Sequence, residues 1–152
     1  MPPRIGCLAV VGLLFGVSIA SAEVVKPTAV VFEDMTVRTP LTGEPGDPAK
    51  GRVIFADRKL GNCLACHANA DQAELFHGEV GPPLDGVADR YEPEMLRAIV
   101  VNPKEIFGDQ TVMPAFYRII EGQRIAEAYK GKTILSAEQV EDVVAYLSTL
   151  KE

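Results

Sequence analysis

The feature that most constrains this chain is the pentapeptide Cys63-Leu64-Ala65-Cys66-His67. Two thiols three positions apart fall on one helical turn, with a histidine directly after them. Each thiol can form a thioether with a vinyl group of one haem, and the imidazole is then placed beneath the iron as an axial ligand. One such motif means one covalently held haem. Three rival readings share the same core. A thioredoxin-like redox pair needs a βαβ setting, which the chain lacks. A zinc site needs two more soft ligands, and outside the motif only His77 and the remote Cys7 are on offer. A chance match on an exposed turn has nothing further in its favour, so the spacing favours haem attachment.

The N-terminus reads as an export signal. After Met1-Pro2-Pro3-Arg4 comes an apolar run over residues 5–19, then the small residues Ala20-Ser21-Ala22 before the first acid, Glu23. A secretory signal peptide over residues 1–22, cut after Ala22, is the expectation. A membrane anchor fits less well, because the run is short and interrupted by Gly12 and Gly16. Cys7 lies too early for a lipoprotein site and leaves with the leader. Cleavage removes one base, Arg4, and no acid, so the formal charge moves from −6 to −7. An acidic chain of this kind is a poor nucleic-acid binder. The two remaining cysteines are both in the motif. Export agrees with it, since c-type haem is attached outside the bacterial cytoplasm, and the expected location is the periplasm.

Residues 23–46 form an extended, proline-punctuated arm: Pro27, Pro40 and Pro45 block regular helix, while Val30-Val31-Phe32 favours a strap over a disordered tail. Residues 47–152 suit one domain. Asp47 and Pro48 predict a helix cap and first turn running to about Arg58, with Val53, Ile54 and Phe55 available for burial and Gly51 a flat spot for a crossing helix. A second helix is expected from Pro93, capped near Glu92, to Asn102, where Asn102 and Glu105 cap a further short turn. Residues 124–129 read as a helical patch ended by Gly131. Ser136 with Gln139 makes a capping box, Leu135 and Val140 a staple, and Val140, Val143, Val144, Leu147 and Leu150 recur at helical spacing.

Function then turns on the second axial position. Met113, in a loop over residues 108–114 and followed by Pro114, is the leading ligand, and His/Met ligation raises the reduction potential. Met95, on the apolar face of a predicted helix, reads as packing. His77 is the competitor to Met113, but its ten-residue separation from His67 would demand a tight reversal across the haem plane; otherwise it is a surface histidine. A carbonyl near Pro82 would accept the Nδ1 proton of His67 and strengthen the ligand, unless Pro82-Pro83 merely shapes a turn. No catalytic residue is apparent: the chain shows no general base, nucleophile or carboxylate pair aimed at a substrate. With both iron positions filled, such a haem exchanges electrons and has no open site for oxygen chemistry.

Gly51, Phe55, the Cys63–His67 motif, Gly81-Pro82-x-Leu84, Met113-Pro114 and a last helix with Val143 and Tyr146 together resemble a class I cytochrome c, from about Asp47 to Leu150. The resemblance implies an all-α fold of a few helices around one covalent haem c, with the first and last helices crossing at Gly51, Phe55 and Tyr146. It implies thioethers at Cys63 and Cys66 and iron ligands at His67 and Met113. Three segments, 60–68, 78–84 and 112–118, are similar to the SoxX family, the monohaem subunits of the SoxAX cytochrome of bacterial sulfur oxidation. That narrower resemblance implies a heterodimer with a larger haem subunit, SoxA. The pair couples thiosulfate oxidatively to a cysteine of the SoxYZ carrier and passes electrons to a downstream acceptor. This chain would be the non-catalytic haem subunit of such an L-cysteine S-thiosulfotransferase. A freestanding periplasmic electron carrier is the alternative that the haem motifs alone allow equally well.

Overall fold

Asp47 opens the first helix as the sequence requires: its carboxylate accepts from the amides of Ala49 and Lys50, and Pro48 occupies the first helical position. In the computed structural model, which describes residues 23–119, 122 and 124–152, this helix, α1, spans Pro48–Ala56. The expected leader over residues 1–22 lies outside the described residues. The chain then passes through a 3-10 turn at Cys63–Ala65 and four further helices: α2 (Val87–Arg90), α3 (Pro93–Val101), α4 (Pro103–Phe107) and α5 (Ala137–Leu147). Among the described residues the only β pairing is an isolated bridge between Glu33 and Thr36. Among the described residues no helix is long and apolar enough to cross a membrane.

The start of α5 carries the full capping box: the Ser136 hydroxyl accepts from the Gln139 amide at 3.2 Å, and the Gln139 side chain accepts from the Ser136 amide at 2.9 Å. Such a box is worth on the order of 1 kcal/mol. The inward stripe of α5, Val140, Val143, Val144 and Leu147, is buried together with Leu135 and Leu150. At the crossing with α1, Gly51 permits contact that no larger residue would allow, because a Cβ there would overlap the Asp142 carbonyl and lie 2.8 Å from Tyr146 Cβ. Beside this point the rings of Phe55 and Tyr146 meet edge to face, with centroids 5.4 Å apart.

Some local expectations need revision. Val53 faces outward and is 66% exposed, since Ile54 and Phe55 already fill the buried face of a helix only nine residues long. Glu92 precedes α3 without a side-chain cap, and the segment near 124–129 forms only a 3-10 turn at Glu127–Tyr129. Asn102 does cap α4, accepting from the Lys104 amide.

The arm lies across the domain. Val25 donates to the Leu41 carbonyl and its own carbonyl accepts from the Tyr117 hydroxyl at 2.7 Å, while the Val37 amide donates to Glu94 at 3.0 Å. Val37 and Leu41 enter the core; of the block expected to hold the strap, Val30 and Phe32 pack against that core and Val31 points into solvent. A buried ion pair fastens the seam. Arg97 of α3 grips Glu141 of α5 through Nε at 2.8 Å and Nη2 at 2.9 Å, and its Nη1 donates to the Val37 carbonyl; Glu141 also accepts from the Leu41 amide. Both charges are thus fully hydrogen-bonded, the condition under which such a pair is tolerated in a core.

Candidate haem and electron-transfer site

Three backbone features present the Cys63–His67 motif. Asn62 adopts a left-handed conformation (φ 49°) that turns the chain sharply after α1. The 3-10 turn follows, with the amides of Cys66 and His67 both donating to the Cys63 carbonyl at 3.1 and 2.9 Å. Leu64 is buried as its apolar anchor. The two thiols flank this turn and remain free. Burial pushes the Cys63 thiol up to about 12.

His67 is oriented from two sides. Its Nδ1 stands 2.8 Å from the Pro82 carbonyl oxygen. A carbonyl can only accept, so Nδ1 carries the proton and Nε2 keeps the lone pair that an iron ion needs. The flat of the ring rests on Gly81, where any Cβ would overlap the imidazole. The loop carrying these residues is itself pinned to the motif, because Gly78 donates to the Leu64 carbonyl and Gly81 to that of Cys66, each at 2.8 Å.

Met113 is half-buried and packs on the apolar core. Its loop is held by Lys104 of α4, whose ammonium donates to the carbonyls of Thr111 at 2.9 Å and Met113 at 3.4 Å. Beyond it, Phe116 and Tyr117 donate to the carbonyls of Val100 and Val101 at the end of α3. His77 is half-buried rather than a surface residue. Its Nδ1 accepts from the Asn69 amide at 3.3 Å, tying up the loop, and its Nε2 is buried without a partner among the described residues.

Sequence reasoning missed the polar cluster that joins this loop to the helix crossing. The Tyr146 hydroxyl accepts from Asn69 Nδ2 at 2.9 Å and Gln72 Nε2 at 2.8 Å, and donates to Asp71 at 2.8 Å. Asp71 is also paired with Arg52 of α1 at 3.0 Å. Burial, followed by the hydrogen bond to Asp71, pushes the Tyr146 phenol up to about 12. The hydrogen bonds from Tyr146 and then Arg52 hold the Asp71 carboxyl below its ordinary value. The available signal was Tyr146 itself, a tyrosine on a buried helical stripe, which needs polar partners for its hydroxyl.

These residues fit a covalent haem. The donor set comprises two free thiols on one turn, an imidazole with its lone pair freed by Pro82, and a thioether on a braced loop; Gly81 supplies the cradle a side chain would fill. Among the described residues no group of three or more His, Cys, Asp or Glu side chains converges as a metal site, so the zinc reading lacks its ligands. Helices crossing at a glycine beside such a motif define a class I cytochrome c.

Comparison with known proteins agrees. Residues 48–151 match the family model for cytochrome c. The chain is similar to one in the crystal structure of SoxXA from P. pantotrophus: 43% identity, covering 84% of this chain and 98% of that one, with a TM-score of 0.76. It is also similar to the c-type cytochrome SorU from Sinorhizobium meliloti, at 32% identity over 68% of this chain and 90% of that one, with a TM-score of 0.45. No curated protein matches the chain. The chain belongs to the cytochrome c family and, within it, to the SoxX electron-transfer subunits, with one covalently bound haem c.

Proposed function

We propose that the chain is the monohaem subunit of a periplasmic SoxXA-type complex, paired with a larger SoxA-type haem subunit, that conjugates thiosulfate to a cysteine of a SoxYZ-type carrier. Joining a thiol to thiosulfate through a new sulfur–sulfur bond releases two electrons and the thiol proton. A bound haem c supplies one-electron exchange, so the two electrons leave singly. Cys63 and Cys66 tether the group as thioethers, which keeps it in place in either redox state. His67 and Met113 would be the side chains that hold the iron, and the Pro82 carbonyl keeps the His67 proton on Nδ1. The Met113 loop, braced by Lys104, would exclude water and other ligands from such an iron. The chain's part is to hold the haem and relay electrons; no cysteine of residues 23–152 lies outside the motif to serve as the reacting thiol.

The observation that carries this reading is the extent of the likeness to the SoxXA chain. At 84% of this chain it reaches beyond the residues 48–151 that a cytochrome c shares, and so takes in part of the arm. Mixing the holo-chain with its larger haem subunit, the carrier and thiosulfate tests the proposal. Haem reduction that depends on both thiosulfate and carrier is expected. No reduction, with the chain purifying alone and exchanging electrons freely with other cytochromes, would instead mark a diffusible carrier.

A further inference from the structure

Three large apolar side chains crowd into one short loop over residues 74–80: Leu75 is 78% exposed, Phe76 97% and Val80 68%. Phe76 also adopts the left-handed backbone (φ 66°), a region that a bulky residue enters only when its surroundings hold it there. They do so on its C-terminal side, through the Asn69 amide on His77 Nδ1 and the Gly78 amide on the Leu64 carbonyl. Gly78 lies so close that a Cβ would overlap the Ala65 carbonyl. The loop backbone therefore rests directly on the cysteine motif, and its outer face offers an aromatic ring that the fold itself leaves uncovered. Solitary exposed apolar residues are ordinary, but three within one short, fixed loop point to a contact surface.

From this geometry we infer that Leu75, Phe76 and Val80 form the docking face for the larger haem subunit, with Phe76 as its central anchor. The inference rests on the functional reading above for the existence of that partner. Charge specifies the complement. Glu74 and Glu79 border the patch, and neither has an ion-pair partner among the described residues. The matching surface is an apolar recess rimmed by lysine or arginine, which would steer approach electrostatically and then bury the ring. Location supplies the reason for this site. Electron exchange weakens steeply with separation, and a partner seated here lies against the segment to which the haem is attached.

The test is the affinity of the holo-chain for its larger haem subunit. Phe76→Ser should weaken binding about 30-fold, the effect of losing one hot-spot residue, while haem spectrum and melting temperature stay as in wild type because the ring supports nothing in the fold. Glu74→Lys with Glu79→Lys should slow association at low salt. Val53→Ser, which removes another exposed apolar group, on α1, should stay within about twofold of wild type. Unchanged binding by Phe76→Ser overturns the assignment, as does equal weakening by Val53→Ser. Self-association of the chain that Phe76→Ser abolishes would assign the face to a second copy and overturn it as well. If wild type itself does not bind the larger subunit, the functional reading fails together with the inference; if wild type binds and Phe76→Ser binds as tightly, the inference alone fails.

Discussion

The seam of α3, α5 and the arm differs in kind from the loops that carry the cysteine motif and Met113. The seam is closed by its own side chains: a buried, fully bonded Arg97–Glu141 pair, with Val37, Leu41 and the α5 valines around it. The loops are joined mostly by single backbone hydrogen bonds and by residues bracing one another around His67 and Met113. Their two ligand segments reach the shared core only through a few anchors, Leu64 beside the cysteines and Phe116 and Tyr117 beyond Met113. The difference separates scaffold from site: one region gains its stability within the chain, and the other is completed by the group it holds.

The sharpest way to break the comparison is to remove the tether. Cys63→Ala with Cys66→Ala should abolish covalent haem entirely, read as loss of haem stain on a denaturing gel, and should leave the domain too poorly packed to survive as a stable apo-form. Recovery of a folded, haem-free domain would show that the loops need no group to complete them. Arg97→Ala attacks the other region. It strands Glu141 in the core and should cost about 3–5 kcal/mol by chemical denaturation, while the axial-ligand spectrum of the folded fraction stays unchanged.

Tyr146→Phe sits at the junction of the two and should cost about 1–3 kcal/mol, because Asn69 loses its acceptor while buried. Its pH signature has two arms. The Tyr146 phenol is raised above its ordinary value of 10 to about 12, so its contribution is complete below pH 10 and is lost as pH rises through about 12. Asp71 is lowered below its ordinary 3.8, so its contribution is complete above that value and disappears as pH falls through the lowered one. Stability profiles of wild type should show both losses, and Tyr146→Phe should flatten each. The smallest effect is expected from Lys104→Met, about 1 kcal/mol or less in stability, with a weakened sulfur-to-iron band because the Met113 loop loses its brace.

Local signals made much of this readable in advance. The Asp47-Pro48 start, the Ser136 and Gln139 box and the α5 stripe are short-range patterns whose chemistry is complete within a few residues, and the helices form where those patterns stand. The crossing at Gly51, Phe55 and Tyr146 was legible because only a glycine fits there and the resemblance pointed to it. The Arg97–Glu141 pair was not. A charged residue on an amphipathic helix ordinarily faces water, and its partner lies 44 positions away. The arm was legible as a strap, since Val30 and Phe32 pack against the core as that apolar block suggested; its deeper anchors, Val37 and Leu41, gave less signal because they are single apolar residues in a polar stretch, placed where the Arg97–Glu141 pair binds the backbone. Phe76 gave no signal at all, since neither its backbone conformation nor its exposure can be read from its neighbours in the chain.

The most direct test of the central claim, that this scaffold offers His67 and Met113 to one haem iron for electron transfer, is the ferric spectrum and reduction potential of Met113→Ala beside wild type. Wild type should show a sulfur-to-iron charge-transfer band and refuse carbon monoxide when reduced. The variant should keep its covalent haem, lose the band, bind carbon monoxide and fall in potential by on the order of 0.1 V, within the roughly 0.8 V range that axial ligands span. A variant with the band and potential of wild type would contradict the account, because the iron would then be held on that side by another residue.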